Sequence, residues 1–160
     1  MARQSIHRRR FPIRRDGTRR VGTFSAGSKT PPPLVRKPRV FVSHHSKDEY
    51  AKRLLQAQSN NKNMDIQFSD QSVNKPFNEK WKTKTKKRIE NSSTTIIMVG
   101  KDTHRRPAVQ WEIEQSRKAG NKIIAVQIHK DKHHRLPQGI RKNEEMKWKI
   151  DQLSKRIRRR

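Results

Sequence analysis

Two unbroken apolar runs constrain this chain more than any other feature. Thr94-Thr95-Ile96-Ile97-Met98-Val99 and Ile123-Ile124-Ala125-Val126-Gln127-Ile128 carry β-branched and apolar residues at consecutive positions. A strand with one wet face alternates, whereas a continuous run belongs to a strand covered on both faces. Between the runs, residues 107–119 carry Val109, Trp111, Glu112, Ile113 and Ser116 on a helical pattern that starts near Pro107. Gly120 then supplies a left-handed cap. Buried strand, helix, buried strand is the unit of a parallel sheet lying between layers of helices.

The same alternation extends in both directions. Val40-Phe41-Val42 predicts a first strand, and Ser46 with Glu49 three residues on reads as a capping box opening a helix through Ala51, Leu54, Leu55 and Gln58. Asn60 to Asn63 end it, and Met64, Ile66 and Phe68 alternate as a second strand with Asp70 just past its end. Pro76 suits a first helical turn, after which Phe77, Trp81, Thr85 and Ile89 fall four apart. Gly100 closes the third strand, a polar stretch fills 129–143, a short fifth strand is expected at Met146 to Trp148, and a last helix spans about 149–158. Five strands with short right-handed crossovers predict a three-layer α/β fold of flavodoxin-like type, strand order 2-1-3-4-5. In such sheets ligands bind outside the carboxyl ends of the strands. Topology thereby groups Ser43, His44, His45, Asp70, Gly100 and Lys101 at one crevice, with Glu112 facing the same edge.

Charge divides the chain differently. The formal charge of +27 splits into +10 over residues 1–38, +11 over 39–140 and +6 over 141–160. Residues 1–38, with Arg8-Arg9-Arg10, Arg14-Arg15, Arg19-Arg20 and Pro31-Pro32-Pro33, have no period of either kind and read as a disordered basic arm ahead of a domain at 39–160. Such an arm either binds nucleic-acid backbones without reading sequence or is a solvated tail. An organellar targeting peptide fits less well, since Ile6, Phe11 and Ile13 make no helical stripe. No run of about 18 apolar residues is present, so no membrane partner is expected and a soluble, cytoplasmic chain is predicted. Having no cysteine, it has no disulfide framework and no thiolate chemistry.

The sequence lacks GxGxxG, GxxxxGK[ST] and HExxH, the signatures of dinucleotide-fold dehydrogenases, P-loop ATPases and zincins. Ser43 beside two histidines invites a nucleophile reading, but the GxSxG elbow is missing and neighbours in a strand face opposite ways. His129, His133 and His134 have a spacing that suits a metal on a helix; in a polar loop without periodicity, solvated histidines are the simpler reading. Asp48, Asp70 and Asp102 echo the acidic pocket of a receiver domain, yet Gly100-Lys101 stands where its phosphoacceptor belongs. No metal is expected. Glu112 has two readings: a partly desolvated carboxylate beside Trp111, suited to ribose binding or acid/base work, or a first-turn glutamate favoured by the helix dipole.

Four segments carry a family resemblance. Arg39-Val40-Phe41-Val42-Ser43-His44-His45-Ser46-Lys47-Asp48, Thr95-Ile96-Ile97-Met98-Val99-Gly100-Lys101-Asp102-Thr103, Val109-Gln110-Trp111-Glu112-Ile113 and Gly120-Asn121-Lys122-Ile123-Ile124 resemble, in that order, the TIR-like domains of bacterial Thoeris antiphage defence sensors. The similarity spans about residues 39–140, and the family fold is flavodoxin-like. The resemblance implies an enzyme or sensor acting on NAD, as substrate and not cofactor, with cleavage between nicotinamide and ribose as the family's reaction. Glu112 matches the glutamate that contacts the ribose, Trp111 would exclude water, and Ser43 and His45 would touch phosphates or ribose. Asp70 matches the acidic position after the second strand. It further implies an ADP-ribose-type or cyclic product, a downstream effector protein and self-association. The basic arm, the terminal arginines, Pro107, His44 and the basic helix from Lys80 to Arg88 depart from the family pattern. They favour the alternative of a non-catalytic module that binds nucleotides or nucleic acid.

Overall fold

The computed structural model describes residues 37–62, 64, 66–69 and 78–159. Residues 1–36, the bulk of the expected basic arm, lie outside them, as do Asp70, Pro76 and Phe77. β1 (Arg39–Ser43) leads through a 3-10 turn (Ser46–Asp48) into α1 (Glu49–Asn61). β2 (Gln67–Ser69), α2 (Glu79–Glu90), β3 (Thr94–Val99), a second 3-10 turn (Thr103–Arg105) and α3 (Pro107–Lys118) follow. β4 (Lys122–Gln127), β5 (Glu145–Lys147) and α4 (Ile150–Arg158) complete the order. The sheet is parallel throughout and ordered β2-β1-β3-β4-β5, as the alternation predicts.

Both long runs are buried on both faces because two helical layers cover them. Register aligns Val42 with Ile96 and Ile96 with Ile124. That row packs with Ala51 and Leu55 of α1 and with Leu153 and Ile157 of α4. On the opposite face Ile97, Val99, Ile123 and Ala125 lie under Val109 and Ile113 of α3. Trp81 of α2 meets Trp111 of α3, ring centroids 5.2 Å apart and planes tilted by 44°. Trp81, Thr85 and Ile89 form the buried stripe expected of α2. Gly120 closes α3 with φ +72°, a conformation that suits a residue without Cβ.

Local signals misled in several places. Ser46 and Glu49 form no capping box: Ser46 starts the 3-10 turn, its hydroxyl lies 3.2 Å from His45 Nδ1, and α1 begins only at Glu49. Leu54 is 47% exposed, because the buried face of α1 is Ala51, Leu55 and Ser59, one turn apart each time. α2 is capped by Asn78, whose side chain accepts the Trp81 amide at 2.6 Å. β2 is shorter than its alternation suggests, while β4 and β5 each begin a residue earlier than expected.

Candidate functional site

Glu112 is built into the sheet side of α3. α3 starts at Pro107, so Glu112 is its sixth residue and beyond the turn where the helix dipole is felt. It is only 4% exposed, as a partly desolvated carboxylate would be, and its place past the first turn departs from the first-turn reading. Ser43, fully buried at the end of β1, donates its hydroxyl to Glu112 Oε2. Behind it, Ser116 Oγ donates to the Glu112 carbonyl at 2.7 Å and accepts from Thr95 Oγ1 at 2.9 Å. Asn121 Nδ2 in turn donates to Thr95 Oγ1 at 3.3 Å and to the Ile89 carbonyl at 2.8 Å. A satisfied polar ladder therefore runs between α3 and β3 inside an otherwise apolar layer, fixing the helix rotation that carries Glu112. Arg117 ties the far end of α3 to the next loop, its two Nη atoms 2.6 and 2.5 Å from the Glu144 carboxylate.

The loops after β1 and β3 meet at the carboxyl edge of the sheet. A Cβ on Gly100 would overlap the Asp48 carboxylate and come within 2.9 Å of Ile128 Cδ1, so a larger residue there would push these two side chains aside. The Gly100 amide donates to Thr103 Oγ1 at 2.8 Å, holding the turn closed. In these two loops His44 Nδ1, His45 Nε2, Asp48 Oδ2, His104 Nδ1 and Arg106 Nε are buried without a hydrogen-bond partner. Among the described residues only Ser59 Oγ shares that condition. Buried polar atoms are ordinarily paired, so those of His45, Asp48 and Arg106, which lie within electrostatic reach of one another, make this edge a candidate ligand site.

The imidazoles of His44 and His45 are held below the usual histidine value of 6.5. Burial is the leading cause in both, followed by the Lys52 charge at His44 and the Arg106 charge at His45. Above pH 6.5 both are neutral whether the chain is folded or not and contribute nothing to pH dependence. Below it the unfolded chain takes up protons that the folded chain resists, so stability declines until the lowered folded values are reached. The urea midpoint is expected to fall between about pH 7.5 and about pH 5.5, and to fall less in His45→Gln. A midpoint independent of pH over that window would contradict this.

Ser43, His45, Gly100 and Glu112 thus come to one edge, as topology predicts. Trp111 braces α3 against α2 through Trp81. Asp70 lies outside the described residues. His104 and Arg106 were not anticipated, and Asp48 was considered only as part of a receiver pocket. Asp48 and His104 lie in the short 3-10 turns and Arg106 directly ahead of α3, where no sequence periodicity marks position and Pro107 signals only the helix start.

Two clefts adjoin the edge. One is lined by Lys101, His129, Lys132, His133 and His134, the other by residues including Leu54, Ile128, Lys147 and Trp148. His129 Nδ1 lies 2.7 Å from His134 Nε2, and His133 Nε2 lies 2.5 Å from Glu145. Among the described residues no group of three or more acidic or histidine side chains is arranged to hold a metal. No helix among them is long and apolar enough to cross a membrane.

The family model of the Thoeris protein ThsB, TIR-like domain, matches residues 41–133. Among solved structures, the TIR domain of the Toll-related receptor TRR-2 from the lower metazoan Hydra magnipapillata is similar with a TM-score of 0.58 at 17% identity, over 75% of this chain and 98% of that one. The TIR domains of the activated Roq1 resistosome, which directly recognises the pathogen effector XopQ, align with a TM-score of 0.42 at 15% identity, over 56% of each chain. No curated protein matches the chain significantly.

Proposed function

Since this chain belongs to the family of ThsB TIR-like domains, we propose that it binds NAD and breaks the bond between nicotinamide and ribose. The observation that carries this reading is the buried Glu112 carboxylate, hydrogen-bonded to Ser43 at the edge where unpartnered atoms of His45, Asp48 and Arg106 gather. When the bond between nicotinamide N1 and ribose C1′ breaks, both electrons leave with nicotinamide and C1′ becomes oxocarbenium-like. A fixed carboxylate accepting the ribose hydroxyls offsets that developing positive charge. Water adding to C1′ yields ADP-ribose and a proton; attack by an atom of the substrate's own adenine yields a cyclic product instead. Asp48 Oδ2, buried against Gly100 without a partner, is an acceptor for a further hydroxyl. NAD is the substrate, and no cofactor or metal enters the scheme.

On this reading the chain is a cytoplasmic signal producer in antiviral defence, self-associating when active and handing its product to an effector protein. Chromatography of the full chain incubated with NAD tests it through the appearance of nicotinamide.

One observation favours a second reading, a non-catalytic module for nucleic acid. Lys82 and Lys86 pair with Glu79 and Glu90 along α2 at 3.6 and 3.9 Å, but Lys80, Lys84 and Lys87 are exposed on the same helix with no acid partner among the described residues. This reading expects duplex DNA or RNA binding that weakens steeply with salt, survives Glu112→Ala and is lost on deletion of residues 1–38. Salt-independent affinity in a filter-binding or anisotropy titration would remove it.

A further inference from the structure

The histidine-rich loop after β4 has no part in the scheme above, yet it forms one wall of a cleft. We propose that this cleft, between the turn after β3 and residues 129–134, binds a phosphorylated anion through Lys101, Lys132 and the imidazoles of His129, His133 and His134. Its lining contains a lysine or a histidine at every position and no acid. Lys101 and Lys132 are exposed and form no ion pair among the described residues, so their charge is available to a ligand.

The imidazoles are arranged as donors in waiting. His129 and His134 face each other nitrogen to nitrogen at 2.7 Å, which a single shared hydrogen satisfies. The other nitrogen of His129 lies 3.3 Å from the Tyr50 hydroxyl. One added proton leaves that shared hydrogen in place and sits on an outer nitrogen; protonating both rings sets two N–H groups against each other unless an anion accepts from them. His134 is accordingly held below 6.5, by burial first and His129 second, against the opposing field of Asp48. Lys132 and His133 add to the cationic side, and Glu145 offsets it only through His133. A phosphoryl oxygen accepting from both lysines and from protonated imidazole relieves every one of these repulsions. Lys101 follows Gly100 directly, so one wall of the cleft belongs to the turn that closes β3 at the sheet's carboxyl edge.

The anion has two sources: the pyrophosphate bridge of the dinucleotide, which rests on the NAD-cleaving reading, or a separate phosphorylated ligand, which does not. Isothermal titration of the full chain with inorganic pyrophosphate at about 0.1 M salt tests the cleft itself. Binding is expected to tighten from about pH 7.5 to about pH 6, and Lys101→Gln/Lys132→Gln should weaken it at least about tenfold. Both positions are exposed, so the variant retains the fold. Lys80→Gln/Lys84→Gln, on α2, should leave affinity unchanged. Undiminished binding in the cleft variant, or an equal loss in the α2 variant, overturns the proposal. A raised KM for NAD with unchanged kcat in the cleft variant identifies the dinucleotide as the source; an unchanged KM alongside lost pyrophosphate binding identifies a separate ligand. Should nicotinamide release fail altogether while pyrophosphate binding still depends on Lys101 and Lys132, the cleft stands and the NAD-cleaving reading falls.

Discussion

Glu112→Gln is expected to lower nicotinamide release by about 100-fold or more while leaving the thermal midpoint close to that of the unaltered chain. Glutamine keeps the volume of the buried side chain and an oxygen that accepts the Ser43 hydroxyl, so the contact beneath α3 survives. What disappears is the negative charge beside a carbon that becomes cationic, and charge placed in a water-poor site is worth several kcal/mol there. Glu112→Ala is the poorer test. It leaves the fully buried Ser43 hydroxyl without its acceptor, costing about 1–3 kcal/mol, and confuses loss of catalysis with loss of fold. Turnover in Glu112→Gln within a few-fold of the original would mean that the carboxylate does not stabilise the transition state.

Ile96→Ala should produce the largest loss of stability, about 3–4 kcal/mol. Ile96 is fully buried on the central strand, flanked in register by Val42 and Ile124, and covered from α1 and α4. The central strand and two helices meet at that point, so the cavity cannot collapse without moving a strand or a helix. Leu54→Ala, by contrast, should change stability by less than about 0.5 kcal/mol, since Leu54 stands 47% exposed on α1. Urea unfolding with an unchanged m-value is the measurement. Equal effects at the two positions would contradict the assignment of the core.

The elements that could be read in the sequence are those whose burial is written locally. β3 and β4 announce themselves because two-sided burial demands consecutive apolar residues, and α2 because Trp81, Thr85 and Ile89 repeat at the helical period. Strand order follows from their alternation with helices. Where a residue serves a partner distant in sequence, no local pattern remains. The Ser43–Glu112 hydrogen bond spans 69 positions, and the unpartnered atoms of His45, Asp48, His104 and Arg106 sit in loops that meet where Asp48 packs against Gly100. Glu112 was singled out by its neighbours and by family resemblance; that it is anchored through Ser43, and that Ser116, Thr95 and Asn121 form a ladder behind it, emerges only when β1, β3 and α3 are assembled. Ser46 misled for the converse reason, carrying a strong local capping signal that the 3-10 turn overrides.

The central claim stands or falls on whether the full chain, concentrated enough to self-associate, releases nicotinamide from NAD. The account predicts nicotinamide appearing in step with an ADP-ribose-type or cyclic product, and neither appearing with Glu112→Gln. NAD recovered intact from the unaltered chain at every protein concentration would contradict it.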